Sequence, residues 1–328
     1  MVTGKGGTGK TTVAAALALA LATEGRSVLL CEVEGRQGIA RLFDVSPLPY
    51  EERRIAAGAD TDGQPGGPVY ALAIEPEAAL LEYLSMYYRL GRAGKALDRF
   101  GVVDFATTVA PGVRDVLLTG KVYEAVNRNR RSKNARHYDA VVLDAPPTGR
   151  IAQFLNVNSE LAGLAKVGPI RSQADTVMTL LRSPRTAVHL VTVLEEMPVQ
   201  ETIDGIEELR AAQLPVGAVV VNGVRRDDLD DDTRDRAVQG ELSRERIRAD
   251  LQAAGLASSR ADADRLVDGL LTEAREHAER RAVEDEQRKR INGLDVPAVE
   301  LPRLPDGIDL GGLYELADQL REAIGAGR

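Results

Sequence analysis

The chain of 328 residues has a single cysteine, Cys31, and only three histidines, His137, His189 and His277. One cysteine excludes an intrachain disulfide and an iron–sulfur cluster held by the protein's own cysteines. Zinc cages are built from several cysteine and histidine side chains at short spacings, and these four residues are scattered along the chain. We therefore expect neither zinc nor an iron–sulfur cluster.

Long apolar runs are missing as well. No segment approaches the roughly 20 apolar residues that a helix needs to cross a bilayer. No charged start followed by an apolar stretch and a small-residue cleavage site indicates secretion. We therefore expect a cytoplasmic protein without a transmembrane segment.

Basic residues do not outnumber acidic ones. The sequence has 50 Asp and Glu against 42 Lys and Arg, a net charge of −8, which disfavours general binding to nucleic acid or anionic lipid. With 44% hydrophobic and 28% charged residues, the composition is that of a globular protein and not of a disordered or rod-like chain. The length allows one large α/β domain with a substantial core.

A glycine-rich segment near the start, GKGGTGKTT at residues 4–12, fits the phosphate-binding loop pattern. Glycines let the backbone curl so that its N–H groups point at phosphate oxygens. Lys10 would contact the β- and γ-phosphates of ATP or ADP, and the Thr11 hydroxyl would ligate Mg²⁺. A chance glycine-rich turn is the alternative, but the alanine-rich run that follows predicts a helix whose positive end faces the anion. The predicted nucleotide-binding residues here are Gly4, Lys5, Gly6, Gly7, Thr8, Gly9, Lys10, Thr11 and Thr12.

Only Met1, Val2 and Thr3 precede this loop, although a phosphate loop normally follows a buried strand. Either a short strand suffices here, or the natural start lies upstream of Met1.

Lys5 makes the loop similar to the deviant Walker A loop of dimeric ATPases. These drive arsenite pumps, deliver tail-anchored membrane proteins, partition plasmids, place septa or reduce nitrogenase. In that class the extra lysine reaches across a dimer to the nucleotide held by the partner. The resemblance implies a P-loop NTPase with a doubly wound, mostly parallel sheet, and it implies a catalytic role for Lys5 and Lys10.

The segment after Asp144 selects one branch of that class. An apolar run ends in Asp144, as a buried parallel strand should, and Ala-Pro-Pro-Thr-Gly-Arg follows at residues 145–150. This stretch resembles switch II of the arsenical pump-driving and tail-anchored-protein-targeting (guided entry) ATPase family. The resemblance makes Asp144 a Mg²⁺ partner beside Thr11. Arg150 stands where the family usually has histidine.

Switch I is expected after the predicted strand at residues 27–32. The family has an aspartate there that positions the attacking water, and aligning on Phe43 places Glu34 at that position. Glutamate is one methylene longer, and hydrolysis depends on placing that water to within an ångström. Glu34 is therefore either a working equivalent, a slow one or a sign of lost turnover. The alternative is that Glu34 is a solvated loop residue.

Adenine recognition is predicted near the end of the chain. Asn222 follows an apolar run and matches the family asparagine that recognises adenine, since an amide offers a donor and an acceptor side by side. Without the resemblance, Asn222 would be a turn residue before Gly223. Pro302 and Arg303 fall where the family wraps the adenine face.

The residue types that this chain has few of narrow its placement among these ATPases further. Nitrogenase reductases and arsenite-activated pumps need several cysteines, and the eukaryotic targeting factor closes its dimer on zinc and has a methionine-rich client groove. This chain has one cysteine and four methionines, which favours a bacterial, zinc-free member. Actinobacterial members often occur as paired paralogues, so the resemblance implies a homodimer or a heterodimer with a paralogous ATPase.

Strands predicted near residues 27–32, 69–74, 139–144, 186–193, 216–221 and 296–301 alternate with helices, which indicates an α/β doubly wound sheet. We expect one P-loop domain over residues 1–328, with helical insertions at 76–136 and 225–292 that form one helical layer. The first insertion carries an apolar stripe that either packs on a neighbouring element or walls a groove for a protein client. Its members are Leu80, Leu81, Leu84, Tyr87 and Tyr88.

Two further segments have structural interpretations. The acidic run at residues 227–232 lacks the spacing of a calcium-binding EF-hand loop, and the second insertion should expose amphipathic helices with mixed charge. The last helix has an apolar stripe with an acidic opposite face, which predicts core packing and not membrane binding. The stripe comprises Leu310, Leu313, Leu316, Leu320 and Ile324.

The sequence thus predicts a dimeric ATPase that couples its nucleotide state to a helical client- or partner-binding surface. Its alternative is a nucleotide-binding subunit that hydrolyses weakly or not at all and completes the site of a paralogue. A DNA-partitioning ATPase is disfavoured by the acidic balance and by the form of switch II.

Overall fold

The computed structural model describes residues 1–60, 64–88, 111–128, 136–155, 169–305 and 307–326. The chain divides into two compact units. The first comprises Met1–Val193, Met197–Val224 and Asp295–Arg328, and the second comprises Leu194–Glu196 and Arg225–Leu294.

The first unit is built on an eight-stranded sheet in the order β3-β4-β2-β5-β1-β6-β7-β8. All neighbouring strands are parallel except β3, which runs antiparallel to β4. This confirms the expected doubly wound, mostly parallel sheet, whose strand order changes direction around β1. The strands are β1 Val2–Gly4, β2 Val28–Glu32, β3 Arg53–Ala57, β4 Pro68–Ala73, β5 Ala140–Asp144, β6 Val188–Thr192, β7 Val216–Val224 and β8 Ala298–Pro302.

Helices connect these strands, as expected for crossovers between parallel strands. Residues 148–155 form a further helical segment directly after β5. The helices of this unit with complete bounds are α1 Lys10–Leu21, α2 Gly38–Leu42, α3 Pro76–Tyr88, α4 Pro111–Asn127, α5 Pro169–Leu181, α6 Glu196–Ala211 and α10 Leu310–Ala326.

Helix α1 packs at the centre of the core because its small side chains allow close approach to the sheet. Ala14, Ala15 and Ala16 are fully buried, and they belong to one apolar cluster with Leu313 and Leu316 of α10. Core packing of the last helix is therefore confirmed for the middle of its stripe. The two ends of the stripe, Leu310 and Ile324, are 44% and 41% exposed.

The edge strand β3 was not predicted from the sequence. Its first residues, Arg53 and Arg54, are exposed, and the strand pairs only with β4 among the described strands, through an irregular register. Charged residues on an edge strand discourage pairing with other chains, and they also hide the strand from a search for apolar alternation.

The three residues of β1 are enough to hold it between two neighbours. Val2 pairs with Asp144 of β5 and with His189 of β6. A cavity of about 770 Å³ lies at the amino end of the sheet. Its lining is largely apolar and includes Val13, Leu17, Val142, Val177 and Leu320.

A basic side chain is buried at this amino end. Nδ1 of His189 accepts a hydrogen bond from the Ala218 N–H at 3.1 Å, and burial lowers the pKa of this imidazole to about 4. The imidazole is therefore neutral at pH 7.

In the first helical insertion, α3 and α4 are joined through an ion pair. Lys121 Nζ lies 2.7 Å from Glu82 Oε1. Leu80 and Leu81 of the predicted stripe are half-buried. The predictions for the side chains of Leu84, Tyr87 and Tyr88 fall outside the described residues.

The second unit consists of the helices α7 Asp231–Gln239, α8 Arg244–Ala253 and α9 Arg260–Asn292. Asp230 caps α7 by accepting a hydrogen bond from the Thr233 N–H, and Asp227 pairs with Arg234 and Arg281. The acidic run thus serves helix capping and ion pairing.

The apolar side chains of α9 are only partly buried. Val267 and Ala278 are buried, whereas Leu266 and Leu270 are 42% and 43% exposed. None of the helices in the described part of the chain is long and apolar enough to cross a membrane.

Candidate nucleotide-binding site

The glycine-rich loop lies between β1 and α1, at the carboxyl end of the sheet, where doubly wound proteins bind their ligands. Gly4 and Gly9 adopt φ angles of +155° and +88°. A Cβ atom on Gly4 would lie 2.1 Å from the Val191 carbonyl oxygen, and one on Gly9 would lie 2.3 Å from Asn222 Nδ2. Only glycine fits at these two positions, so the loop is tightly packed against β6 and β7.

The amino end of α1 is open toward this loop. Its N-cap residue is Gly9, and no side chain caps the first N–H groups of the helix. Free N–H groups and the helix dipole together favour an anion at this position. The loop therefore fits a phosphate group.

Two side chains of the loop fold back onto its own backbone. The Thr8 hydroxyl donates to the Lys5 carbonyl at 2.9 Å, and Lys10 Nζ donates to the same oxygen at 3.4 Å. Burial lowers the pKa of Lys10, while the nearby charges of Asp144 and Glu34 oppose this effect. The ammonium group of Lys10 thus lies among carboxylates and at the loop, as a phosphate-binding lysine requires.

Thr11 and Asp144 are brought together as predicted for a magnesium site. The Thr11 hydroxyl donates to Asp144 Oδ2 at 2.7 Å. Asp144 is 8% exposed, and burial raises its pKa to about 6, against the effects of Thr11 and Lys10. Oxygen ligands beside a phosphate site are what Mg²⁺ prefers, so these residues fit the ion.

Glu32 is a site residue that the sequence reasoning missed. It ends β2, is 3% exposed and is the register partner of Asp144 on β5. Glu32 Oε1 accepts a hydrogen bond from the Gly38 N–H at 3.0 Å. A carboxylate at the end of an otherwise apolar strand was the signal that could have found it.

Glu34 lies on the loop between β2 and α2 and is close enough to Lys10 to stabilise the charged ammonium group. Its carboxylate is 3.6 Å from Arg36 Nε. Glu34 also lines a polar pocket of about 180 Å³ together with residues of the switch II segment and of α4. The pocket is lined by Val33, Glu34, Arg36, Arg114, Asp115, Leu118, Pro146 and Arg150.

Lys5 forms an ion pair within its own chain. Its Nζ lies 2.7 Å from Glu201 Oε1 on α6, and both side chains are about one-third exposed, at 30% and 36%. Nothing in the sequence predicted that Glu201 pairs with Lys5.

Asn222 is held at the phosphate loop by a bulge in β7. Between Val221 and Val224 the pairing with β8 shifts, and Asn222 Nδ2 donates to the Thr8 carbonyl at 2.9 Å. Such a shift re-aims a side chain, so Asn222 is not a turn residue. Pro302 ends the neighbouring strand β8, and the Arg303 N–H donates a hydrogen bond to the carbonyl of Val224.

Comparison with known proteins identifies the family. Residues 1–184, which contain the phosphate loop, both switch segments and the first helical insertion, match the family described as Anion-transporting ATPase. The chain belongs to this family. Members that are named ATPases support ATP binding and hydrolysis as the activity of this chain, and ATPase chemistry implies the use of Mg²⁺.

The relatives include close and distant proteins. "ATPase BagA" of Mycobacterium tuberculosis is 53% identical over 322 residues, which is 98% of this chain and 92% of the relative. "Arsenical pump-driving ATPase" of Acidiphilium multivorum is 28% identical over 68% of this chain and 38% of its own length. "ATPase get3" of Neurospora crassa is 29% identical over 52% of this chain and 46% of its own length.

Proposed function

We propose that this anion-transporting ATPase family member works as one half of a dimer, in which the nucleotide state controls a helical surface that holds a client or partner. The observation that carries the nucleotide part is the Thr11–Asp144 hydrogen bond beside the uncapped start of α1. This hydrogen bond joins the two residues that would hold Mg²⁺, and it lies beside the loop that would hold the phosphates.

The roles in nucleotide binding follow from position. The N–H groups of the loop and of the start of α1, with Lys10, would hold the phosphates, and Thr11 with Asp144 would hold Mg²⁺. When bound, Mg²⁺ supplies positive charge to the phosphate oxygens. Asn222 lies at the loop, and Pro302 and Arg303 follow on the next strand, so these three would hold adenine.

Glu34 would orient the attacking water and accept its proton. Its support is the proximity of its carboxylate to Lys10 and Asp144, whose pKa values it affects. Its longer side chain predicts slower turnover than an aspartate would give, because a general base must lie within hydrogen-bond reach of the water.

Lys5 would act on the nucleotide of the second subunit. In the single chain it is paired with Glu201, so dimer closure would break that ion pair. Exposed pairs of this kind contribute roughly 0–1 kcal/mol, which is a small barrier for a switch.

Coupling to a helical surface is supported by the pocket around Glu34. Switch I contributes Glu34, the segment after Asp144 contributes Arg150, and α4 of the helical insertion contributes Arg114 and Asp115. A change at the phosphates would therefore reach α4 through direct neighbours. That the insertions at 76–136 and 225–292 form one layer, and that the protein is cytoplasmic, remain part of this proposal.

A second candidate function is a subunit that binds nucleotide but hydrolyses it weakly or not at all, and that supplies Lys5 to a paralogous ATPase. The longer arm of Glu34 and the arginine at position 150 favour it.

The test is Mg²⁺-dependent ATP turnover of the purified chain beside Lys10→Ala, with Lys289→Ala as a control that removes an exposed lysine of α9. We expect Lys10→Ala to lower turnover by about 100-fold or more, as loss of a main phosphate contact does, and the control to match the parent. Tight nucleotide binding without turnover would favour the second candidate. Turnover that persists in Lys10→Ala would refute both.

A further inference from the structure

The two residues proposed to hold Mg²⁺, Thr11 and Asp144, have an acidic neighbour, Glu32, that the predicted site does not include. Glu32 and Asp144 end adjacent parallel strands and are register partners, so their side chains leave the sheet on the same side. Both residues are buried, at 3% and 8% exposure. Two buried carboxylates this close repel one another unless a cation or hydrogen-bond donors neutralise them.

The donors available balance this pair only in part, because Lys10 acts on Asp144 from nearby but forms no ion pair with it within the described ranges. Glu32 Oε1 accepts one backbone N–H from Gly38, and Asp144 Oδ2 accepts the Thr11 hydroxyl. Glu32 Oε2 and Asp144 Oδ1 are both buried without a hydrogen-bond partner in the part of the chain that the structure describes. Within the same ranges, neither carboxylate forms an ion pair. Buried carboxylate oxygens left in this state are costly.

The hydroxyl oxygen of Thr11 also lies near Glu32, as the surroundings of Gly38 show. A Cβ atom added to Gly38 would lie 3.8 Å from Glu32 Oε1 and 3.7 Å from Thr11 Oγ1. The Thr11 hydroxyl and Glu32 Oε1 therefore both lie within 3.8 Å of one point beside Gly38, and the same hydroxyl donates to Asp144.

We propose that Glu32 is a second carboxylate of the magnesium site, acting on the ion directly or through one of its waters. The inference rests on the proposed nucleotide site. The unpartnered oxygens of Glu32 and Asp144 give the ion two negative charges where the family resemblance predicted one. Through the Gly38 N–H, Glu32 also ties the ion to the loop that carries Glu34.

A purely structural role for Glu32 is the competing explanation. In that case its function is to accept the Gly38 N–H at the start of α2, and the uncharged side chain of glutamine would serve as well. Glu32→Gln keeps the acceptor oxygen and removes the charge, so it separates the two explanations.

The experiment measures binding of a fluorescent ATP analogue while free Mg²⁺ is varied, with an arm in excess chelator. We expect Glu32→Gln to raise the Mg²⁺ concentration at half-maximal binding by about 10- to 100-fold, the usual effect of removing a supporting carboxylate. Binding in chelator should be unchanged or tighter, because one negative charge near the phosphates is gone. Glu207→Gln, the same change at an exposed position of α6, should match the parent in both arms.

Three outcomes overturn the inference, and they are distinguishable. If the parent shows Mg²⁺-dependent binding and Glu32→Gln shows the same Mg²⁺ requirement, Glu32 has only the structural role and the proposed function stands. If the parent binds no nucleotide at any Mg²⁺ concentration, the proposed function fails and this inference fails with it. Equal weakening of Glu32→Gln in both arms would indicate a damaged phosphate site and would also count against a magnesium role.

Discussion

The two ends of the same parallel sheet bury ionisable groups in opposite ways. At the amino end, His189 has a backbone partner, and burial makes its imidazole neutral. At the carboxyl end, Glu32 and Asp144 keep buried oxygens without partners among the described residues, beside a lysine that is only partly buried. The first group has its partner within the chain, whereas the proposed nucleotide site would supply the second pair with a cation.

The comparison shows how a ligand site differs from a buried polar group that belongs to the fold. Buried polar groups of a folded protein are normally satisfied, so buried carboxylate oxygens without a partner in the chain are candidate contacts for a ligand. In an open parallel sheet this should occur at the carboxyl ends of the strands, where the strand order changes direction.

The largest effect is expected from Asp144→Asn. The nucleotide complex should lose at least about 100-fold of its affinity in Mg²⁺, since a direct oxygen ligand is gone. The ligand-free protein should become more stable by up to about 3 kcal/mol at pH 7, because the pKa of Asp144 lies near 6 in the folded chain instead of 3.8. Nucleotide titration and urea unfolding measure the two effects. A variant that is both less stable and still able to bind Mg²⁺ would contradict the comparison.

At the amino end, His189 should lower the free energy of unfolding as the pH falls, whereas ionisation of the buried Asp144 lowers it as the pH rises. Its pKa of about 4 in the folded chain lies below the value of 6.5 for the unfolded chain, so the unfolded state binds the proton first. Stability is therefore complete above pH 6.5 and should fall by about 3 kcal/mol as the pH drops to 4.

The matched variant is His189→Asn, whose amide oxygen can still accept the Ala218 N–H but does not titrate. The difference in unfolding free energy between parent and variant, measured from pH 8 to pH 4, cancels the other titrating groups. A difference that stays constant over this range would show that His189 is not held neutral.

A smaller effect on stability should distinguish the tightly packed phosphate loop at Gly9 from the open turn at Gly25, which lies at the other end of the sheet. Gly9 and Gly25 both have positive φ, +88° and +73°, but only Gly9 is packed against another residue, Asn222. Gly25→Ala should cost about 1 kcal/mol for the backbone conformation alone, and Gly9→Ala about 1–2 kcal/mol more because Asn222 must move. Chemical denaturation of both variants measures this difference, and equal costs would mean that the contact is not tight.

The smallest effect is expected from Glu201→Gln. Because both side chains of the ion pair with Lys5 are about one-third exposed, its loss should change the free energy of unfolding by less than about 1 kcal/mol. If the pair must open when the dimer closes, turnover should rise by about fivefold at most, the rate equivalent of 1 kcal/mol. The rise should vanish in the double variant with Lys5→Ala. A fall in turnover would show that Glu201 assists Lys5.

The six strands predicted from the sequence are all present, with bounds that differ from the structure by at most three residues at either end. They were recognisable because buried parallel strands are continuous apolar runs. β3 was missed because its exposed arginines break that pattern. The phosphate loop was recognisable because its glycines, Lys10 and Thr11 are contiguous, so their chemistry is visible without a fold.

The sequence by itself determined the local parts of this protein: the loop, the strand end at Asp144, the buried middle of the last helix's apolar stripe and the family. Tertiary structure alone decided which strand ends meet. Glu32 is 112 residues from Asp144 in the chain, and Lys5 is 196 residues from Glu201. Strand order is set by packing over the whole sheet and not by neighbouring residues. Only that order turns two separate carboxylates into the buried pair on which the proposed magnesium role of Glu32 rests.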